Sequence, residues 1–240
     1  MKFYVFYFTV EILQHAVPAI KSMVNFARTM NKVAVLSVAY LPPALYFQKI
    51  LSYDMILIEG AEHFVKQTFR NRCSIYGANG KLDLTIPLVH SSERTSILNK
   101  KISHSEQWQK LHWKSLQSAY RSAPYFEFFE QEFEYFYSAE FENLFYFNLE
   151  LIKLVCRLLK MNFSYEITKE WRREYAAADD FRLSISPKSK IFLSNSFPVN
   201  PYYQVFSSKF GFIPNLSVVD VLFHEGLNAI DVLRGETHKW

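Results

Sequence analysis

Two apolar runs set close together constrain this chain most. Val33-Ala34-Val35-Leu36-Ser37-Val38-Ala39 is almost unbroken in its apolar character, as a strand buried on both faces must be. Asp54 to Ile58 reads as a second strand. Between them, Tyr40-Leu41-Pro42-Pro43 ends the first strand and Ala44 to Ser52 reads as helix, since proline is tolerated in a first helical turn. A strand, a short helical crossover and another strand make two parallel neighbours. That unit sets an α/β fold class.

The rest of the chain adds to this unit. Arg72-Cys73-Ser74-Ile75-Tyr76 and Lys81 to Leu88 partly alternate at period two around Gly77-Ala78-Asn79-Gly80, a hairpin signal with suitable turn residues. His90 to Ser96 is polar and loop-like. Helical spacing then covers Glu106–Arg121, Tyr125–Ser138 and Glu140–Lys160, with Ala123-Pro124 separating the first two. The third carries Leu144, Phe147, Leu151, Leu154, Val155 and Leu158, a stripe that must face a core. Tyr165 to Thr168 reads as a short strand, and residues 179–203, rich in Ser and Pro, as one long surface loop. Asn215 is the expected N-cap of a last helix with Val218, Val219, Leu222 and Phe223 inward; Gly226 ends it, and Leu227 to Leu233 gives one more short helix. The expected fold is a small, mostly parallel sheet with an added hairpin, packed against a largely helical C-terminal half.

With 240 residues there is ample length to bury a core, and 23 Phe and 15 Tyr supply large rings for it. An aromatic-lined pocket or a membrane-facing surface is the sharper alternative. The net charge of +4 is mild, and no Lys/Arg run forms a nucleic-acid arm; a basic cleft for phosphate or carboxylate is compatible with it. Cys73 and Cys156 have neither metal-ligand spacing nor a CxxC partner, which fits a reduced, cytoplasmic protein. Residues 1–31 read as an N-terminal extension ahead of a domain over 32–235. Its apolar run Phe3–Val10 is cut by Glu11, too short for a transmembrane segment, and Met30-Asn31-Lys32 looks like a natural start.

The densest chemistry lies in Glu59 to Arg72. Lys66, Arg70 and Arg72 form a candidate anion site where a strand ends, with Gln67 and Asn71 beside them. If residues 68–72 are extended, Arg70 and Arg72 share a face. A solvated basic edge is the plainer reading. Glu59, Glu62 and His63 suit acid–base or metal chemistry, or else salt bridges to the nearby cations. His112, four residues after Trp108 and eight before Tyr120, suits a base on a pocket wall, or a core-edge histidine satisfied by a carbonyl. Asp220 and His224 are four apart, matching a carboxylate that orients an imidazole, or an ordinary helix pair. No GxGxxG, phosphate-binding Walker loop, GxSxG or HExxH occurs, which argues against common dehydrogenases, ATPases and serine hydrolases. No metal site is indicated, and the sequence names no cofactor and no oligomeric state.

Four ordered segments resemble the WbqC-like family of bacterial proteins, in its Bacteroidetes-type form. They are Ala39-Tyr40-Leu41-Pro42-Pro43; Lys66-Gln67-Thr68-Phe69-Arg70-Asn71-Arg72 with Asn79-Gly80 and Ile86-Pro87; Trp108-Gln109, His112-Trp113 and Ser118-Ala119-Tyr120 through Phe126; and Tyr203-Gln204-Val205-Phe206 with the stretch from Phe210 to Gly226. Many members open with Gln-Pro-x-Tyr-Leu-Pro-Trp; this chain lacks that Gln and Trp, so no role of those side chains transfers. The resemblance implies a place in O-antigen or other surface-polysaccharide biosynthesis, with transfer of an acyl or amino-acyl (glycine-like) group onto an amino-sugar nucleotide. The alternative is a non-catalytic sugar-nucleotide-binding or assembly protein of that pathway. On either reading the ligand is a small anion, a sugar nucleotide or an amino acid. Tyr40, Lys66, Gln67, Arg70, Asn71, Arg72 and Tyr120 are the candidate ligand contacts. His112, Asp220 and His224 are the catalytic candidates, and enzyme status stays open.

Overall fold

The computed structural model describes residues 32–90, 94–193 and 200–236; the N-terminal extension up to residue 31 lies outside them. Strand β1 (Val33–Ser37), helix α1 (Ala44–Ser52) and strand β2 (Met55–Glu59) form the expected crossover, with β1 and β2 parallel from Val33–Met55 to Ser37–Glu59. Pro43, extended at φ −64°, opens α1, whose inner face buries Ala44, Leu45, Tyr46, Phe47 and Ile50. The hairpin follows as β3 (Arg72–Gly77) and β4 (Gly80–Thr85), antiparallel and closed by Gly77–Gly80. It forms a sheet of its own.

Helices α2 (Trp108–Tyr120), α3 (Phe126–Ser138) and α4 (Leu144–Leu158) match the 3.6-residue spacing, and Asn143 caps α4 by accepting from the Tyr146 N–H at 3.1 Å. Strand β5 (Tyr165–Ile167) adds to β2 in parallel. Strand β6 (Asp179–Asp180) adds to β1, also in parallel, so the main sheet runs β5-β2-β1-β6. Residues 179–203 are therefore not one surface loop: they give the sheet a strand and then the short helix α5 (Lys190–Leu193). A strand of two exposed aspartates carries no apolar alternation for a sequence reading to detect.

The chain then forms α6 (Ser207–Phe210), α7 (Val218–Glu225), a 3-10 turn (Gly226–Asn228) and α8 (Ala229–Arg234). Ser217, not Asn215, caps α7. The Val218 N–H bonds the Pro42 carbonyl and the Ala44 N–H bonds the Leu216 carbonyl, so the chain enters α7 pinned against the start of α1. Asn215 instead makes the turn before it, at φ +54°, a left-handed conformation that Asn tolerates better than most residues. Gly226 ends α7 as expected, at φ +58°.

Much of the aromatic load of the described residues is core, although Phe128, Tyr135 and Trp171 are exposed. Tyr40, Phe47, Phe126, Phe133, Phe147 and Phe223 are all fully buried. Phe223 of α7 holds Tyr120, Phe126 and Phe133 at ring-centroid distances of 5.2, 5.1 and 5.3 Å, which locks α7 onto α2 and α3.

Candidate functional site

Open parallel sheets bind ligands beyond the carboxyl ends of their strands. Here that edge is occupied by the protein's own ion pairs. Arg70 is buried, with Nε donating to Glu62 Oε1 at 2.8 Å and Nη2 reaching both Glu62 Oε2 and Ser37 Oγ at the tip of β1. Glu59, with no exposed surface, accepts from the Ala61 N–H at 2.9 Å, from Arg182 Nη1 at 2.7 Å and from the Thr168 and Tyr175 hydroxyls. Arg182 also clasps Asp180. Of the two readings of Glu59 and Glu62, salt bridging is what forms. The partner of Glu59 is Arg182, 123 residues away, rather than one of the neighbouring cations.

Lys66, Arg70 and Arg72 do not converge. The chain before β3 turns instead of running extended: Gln67 sits at φ +60° and Thr68 Oγ1 donates to the Val65 carbonyl at 2.8 Å. That turn sends Arg70 to the sheet edge and leaves Lys66 and Arg72 facing a separate hollow of about 380 Å³ at the root of the hairpin. Gln67 and Asn71 line it too, so four of the seven predicted contacts meet there.

Local pairing explains the hollow. Arg72 and Thr85 form the last rung of the β3–β4 ladder. One further rung continues it, in which the Ile86 N–H bonds the Asn71 carbonyl at 2.8 Å and Asn71 Nδ2 bonds the Ile86 carbonyl at 2.9 Å. Pro87 has no N–H to extend the ladder again. The strand departs to pair elsewhere, through Ser103 N–H to the Pro87 carbonyl and Val89 N–H to the Lys101 carbonyl. That detour brings Lys100 to the hollow, with Nζ 2.9 Å from the Val89 carbonyl and 5.6 Å from the centre of the Phe64 ring. Sequence reasoning missed Lys100, because its only signal was a Lys100-Lys101 doublet far from the cluster.

The electrostatics of the hollow are one-sided. Lys66, Arg72 and Lys100 line it, His90 stands at it, and among the described residues none that line it is Asp or Glu. Partial burial lowers the pKa of Lys100, and the neighbouring Lys66 charge lowers it further. Two buried polar atoms of residues lining the hollow have no hydrogen-bond partner among the described residues: Arg72 Nε, a donor, and Asn71 Oδ1, an acceptor. Buried polar atoms are rarely left so.

Tyr40, Tyr120 and the three catalytic candidates lie elsewhere. One ring nitrogen of His112 donates to the Thr85 main chain, so Nδ1 accepts from the Tyr40 hydroxyl at 2.9 Å, and Tyr40 accepts from Tyr137 at 2.8 Å. Burial pushes His112 down to about 4 and keeps it neutral. His112 thus sits behind a wall of the hollow, bonded to Thr85, which lines it. Asp220, wholly buried, accepts from Tyr120 at 2.9 Å, from Gln204 Nε2 at 2.7 Å and from Tyr202. Burial raises its pKa despite those donors. His224 Nδ1 donates to the main-chain carbonyl of Asp220 at 2.6 Å, while Nε2 accepts from the Val205 N–H at 3.0 Å. The Asp220 carboxylate stays 4.0 Å from Nδ1, so the main chain, not the carboxylate, orients this imidazole.

Among the described residues no group of His, Cys, Asp and Glu could hold a metal ion, and no helix is long and apolar enough to cross a membrane. Both cysteines are buried free thiols.

Fold and site together define an α/β protein with a basic hollow at the root of a hairpin. Residues 38–191 match the WbqC-like protein family, and the chain belongs to it. The matched span contains every residue that lines the hollow and ends before Asp220 and His224. The uncharacterized protein Rv1507c of Mycobacterium tuberculosis is 24% identical over 229 residues, covering 85% of this chain and 98% of its own length. No solved structure matches.

Proposed function

We propose that this chain binds a small anionic molecule, a sugar nucleotide or an amino acid, in the hollow formed by Lys66, Gln67, Asn71, Arg72 and Lys100. The observation that carries the reading is three cations lining one concavity with no carboxylate beside them among the described residues. In a WbqC-like protein this fits a cytoplasmic step of surface-polysaccharide biosynthesis, in which an acyl or amino-acyl group moves onto an amino-sugar nucleotide. His112 then serves as a positioning residue: it holds the Thr85 main chain and, through it, the wall of the hollow. The second reading, a non-catalytic sugar-nucleotide-binding or assembly protein, is favoured by one observation. His112 and His224 each have both ring nitrogens engaged.

Two measurements separate these readings. A ligand that binds only the folded state raises Tm, so the native chain is screened against sugar nucleotides, amino acids and acyl-CoA species. Product formation is then measured for whichever pair binds. Turnover of the bound pair that falls further than binding does in His112→Ala supports the transferase; binding without turnover leaves the binding protein. A screen with no shift at all removes both.

A further inference from the structure

The hollow distinguishes between a sugar nucleotide and an amino acid as its ligand. Resting on the anion-binding reading, we propose that it receives a diphosphate group, and that it rejects a free amino acid. The same chemistry is presented by a sugar nucleotide and by coenzyme A.

Charge gives the first reason. Lys66, Arg72 and Lys100 share one concavity, and among the described residues no lining carboxylate offsets them. A single carboxylate leaves most of that charge unanswered. A diphosphate diester brings two negative charges and several acceptor oxygens, which suit a guanidinium fork and two ammonium groups. The ammonium of a zwitterionic amino acid, by contrast, would enter among three cations and meet no acid.

Size gives the second reason: a free amino acid such as glycine would fill only a small part of the hollow. The volume of about 380 Å³ lies in the range of small-molecule sites, and Ile86 and Pro87 add an apolar wall for the remainder of such a ligand.

The test is thermal shift and calorimetric titration of the full chain at low salt. The probes are inorganic pyrophosphate, uridine diphosphate N-acetylglucosamine, coenzyme A and glycine. Pyrophosphate and one of the two diesters are expected to raise Tm, glycine to leave it unchanged, and the better diester identifies the source. Arg72→Met should weaken pyrophosphate about tenfold or more. Lys66→Gln, made at an exposed side chain that the fold does not need, should weaken it in the same direction, and added salt should do likewise. Glycine binding without pyrophosphate binding would overturn the diphosphate assignment and leave the anion-site reading intact. Pyrophosphate binding equally well to native, Arg72→Met and Lys66→Gln chains would overturn both, as would no shift with any probe.

Discussion

Neighbouring residues here answer to different demands. Arg70 neutralises a buried carboxylate, Asn71 continues a ladder by one rung, and Arg72 turns into the hollow. The residue types were legible in the sequence; their directions were not, because one left-handed residue, Gln67, redirects the chain after it. His112 was legible as a helix-face neighbour of Trp108, and the rings meet edge-on at 5.2 Å. Its bond to Thr85 is a tertiary fact that no spacing encodes. It also predicts a pH effect. The folded-state value of about 4 lies below the ordinary 6.5, so between those values the unfolded chain holds a proton that the folded chain refuses. The contribution of His112 is complete above about 6.5 and is lost as pH falls toward 4, up to roughly 3 kcal/mol. His112→Gln, which can still accept from Tyr40 and donate to Thr85, should flatten that part of the curve. Urea unfolding at several pH values checks this, and an unchanged slope would mean another group titrates.

At the scale of elements, periodicity carries most of the information. The opening strand has its almost unbroken apolar run, the hairpin and the three long helices have period-two or 3.6-residue patterns, and all lie within a few residues of their expected bounds. Strand β6 has none and is held by its surroundings. Arg182, just beyond it, ties Asp180 to Glu59 at the tip of β2. Arg182→Met should therefore cost about 3–5 kcal/mol, because it strands Glu59 as a buried unpaired charge. Glu59→Gln in the Arg182→Met background should recover part of that loss. Denaturant midpoints of the two variants decide the point; equal losses would show that the charge is not the cause. Gly226 makes a second element-level case. A Cβ there would sit 2.7 Å from the Tyr125 ring, on a backbone already at φ +58°. Gly226→Ala should cost about 2 kcal/mol, seen as a lower Tm with ligand binding retained, since Gly226 does not line the hollow.

For the whole molecule, the residues from Val33 onward form one compact unit whose core draws on the parallel sheet, the hairpin and helices α1 to α4, α7 and α8. We therefore expect a chain beginning at Lys32 to fold by itself, with Tm within about 3 °C of the full chain and the same response to pyrophosphate. A large drop would make the first 31 residues part of the fold.

The occupied tips of the parallel strands have a further consequence. Glu59, Glu62, Arg70 and Arg182 are committed to holding the framework together, whereas Lys66 and Arg72 have no ion pair among the described residues. On the proposed reading, recognition and scaffolding fall to separate side chains. A few exchanges at the foot of the hairpin could retune which molecule is accepted while the architecture beneath stays as it is, so relatives with one shape need not share one ligand.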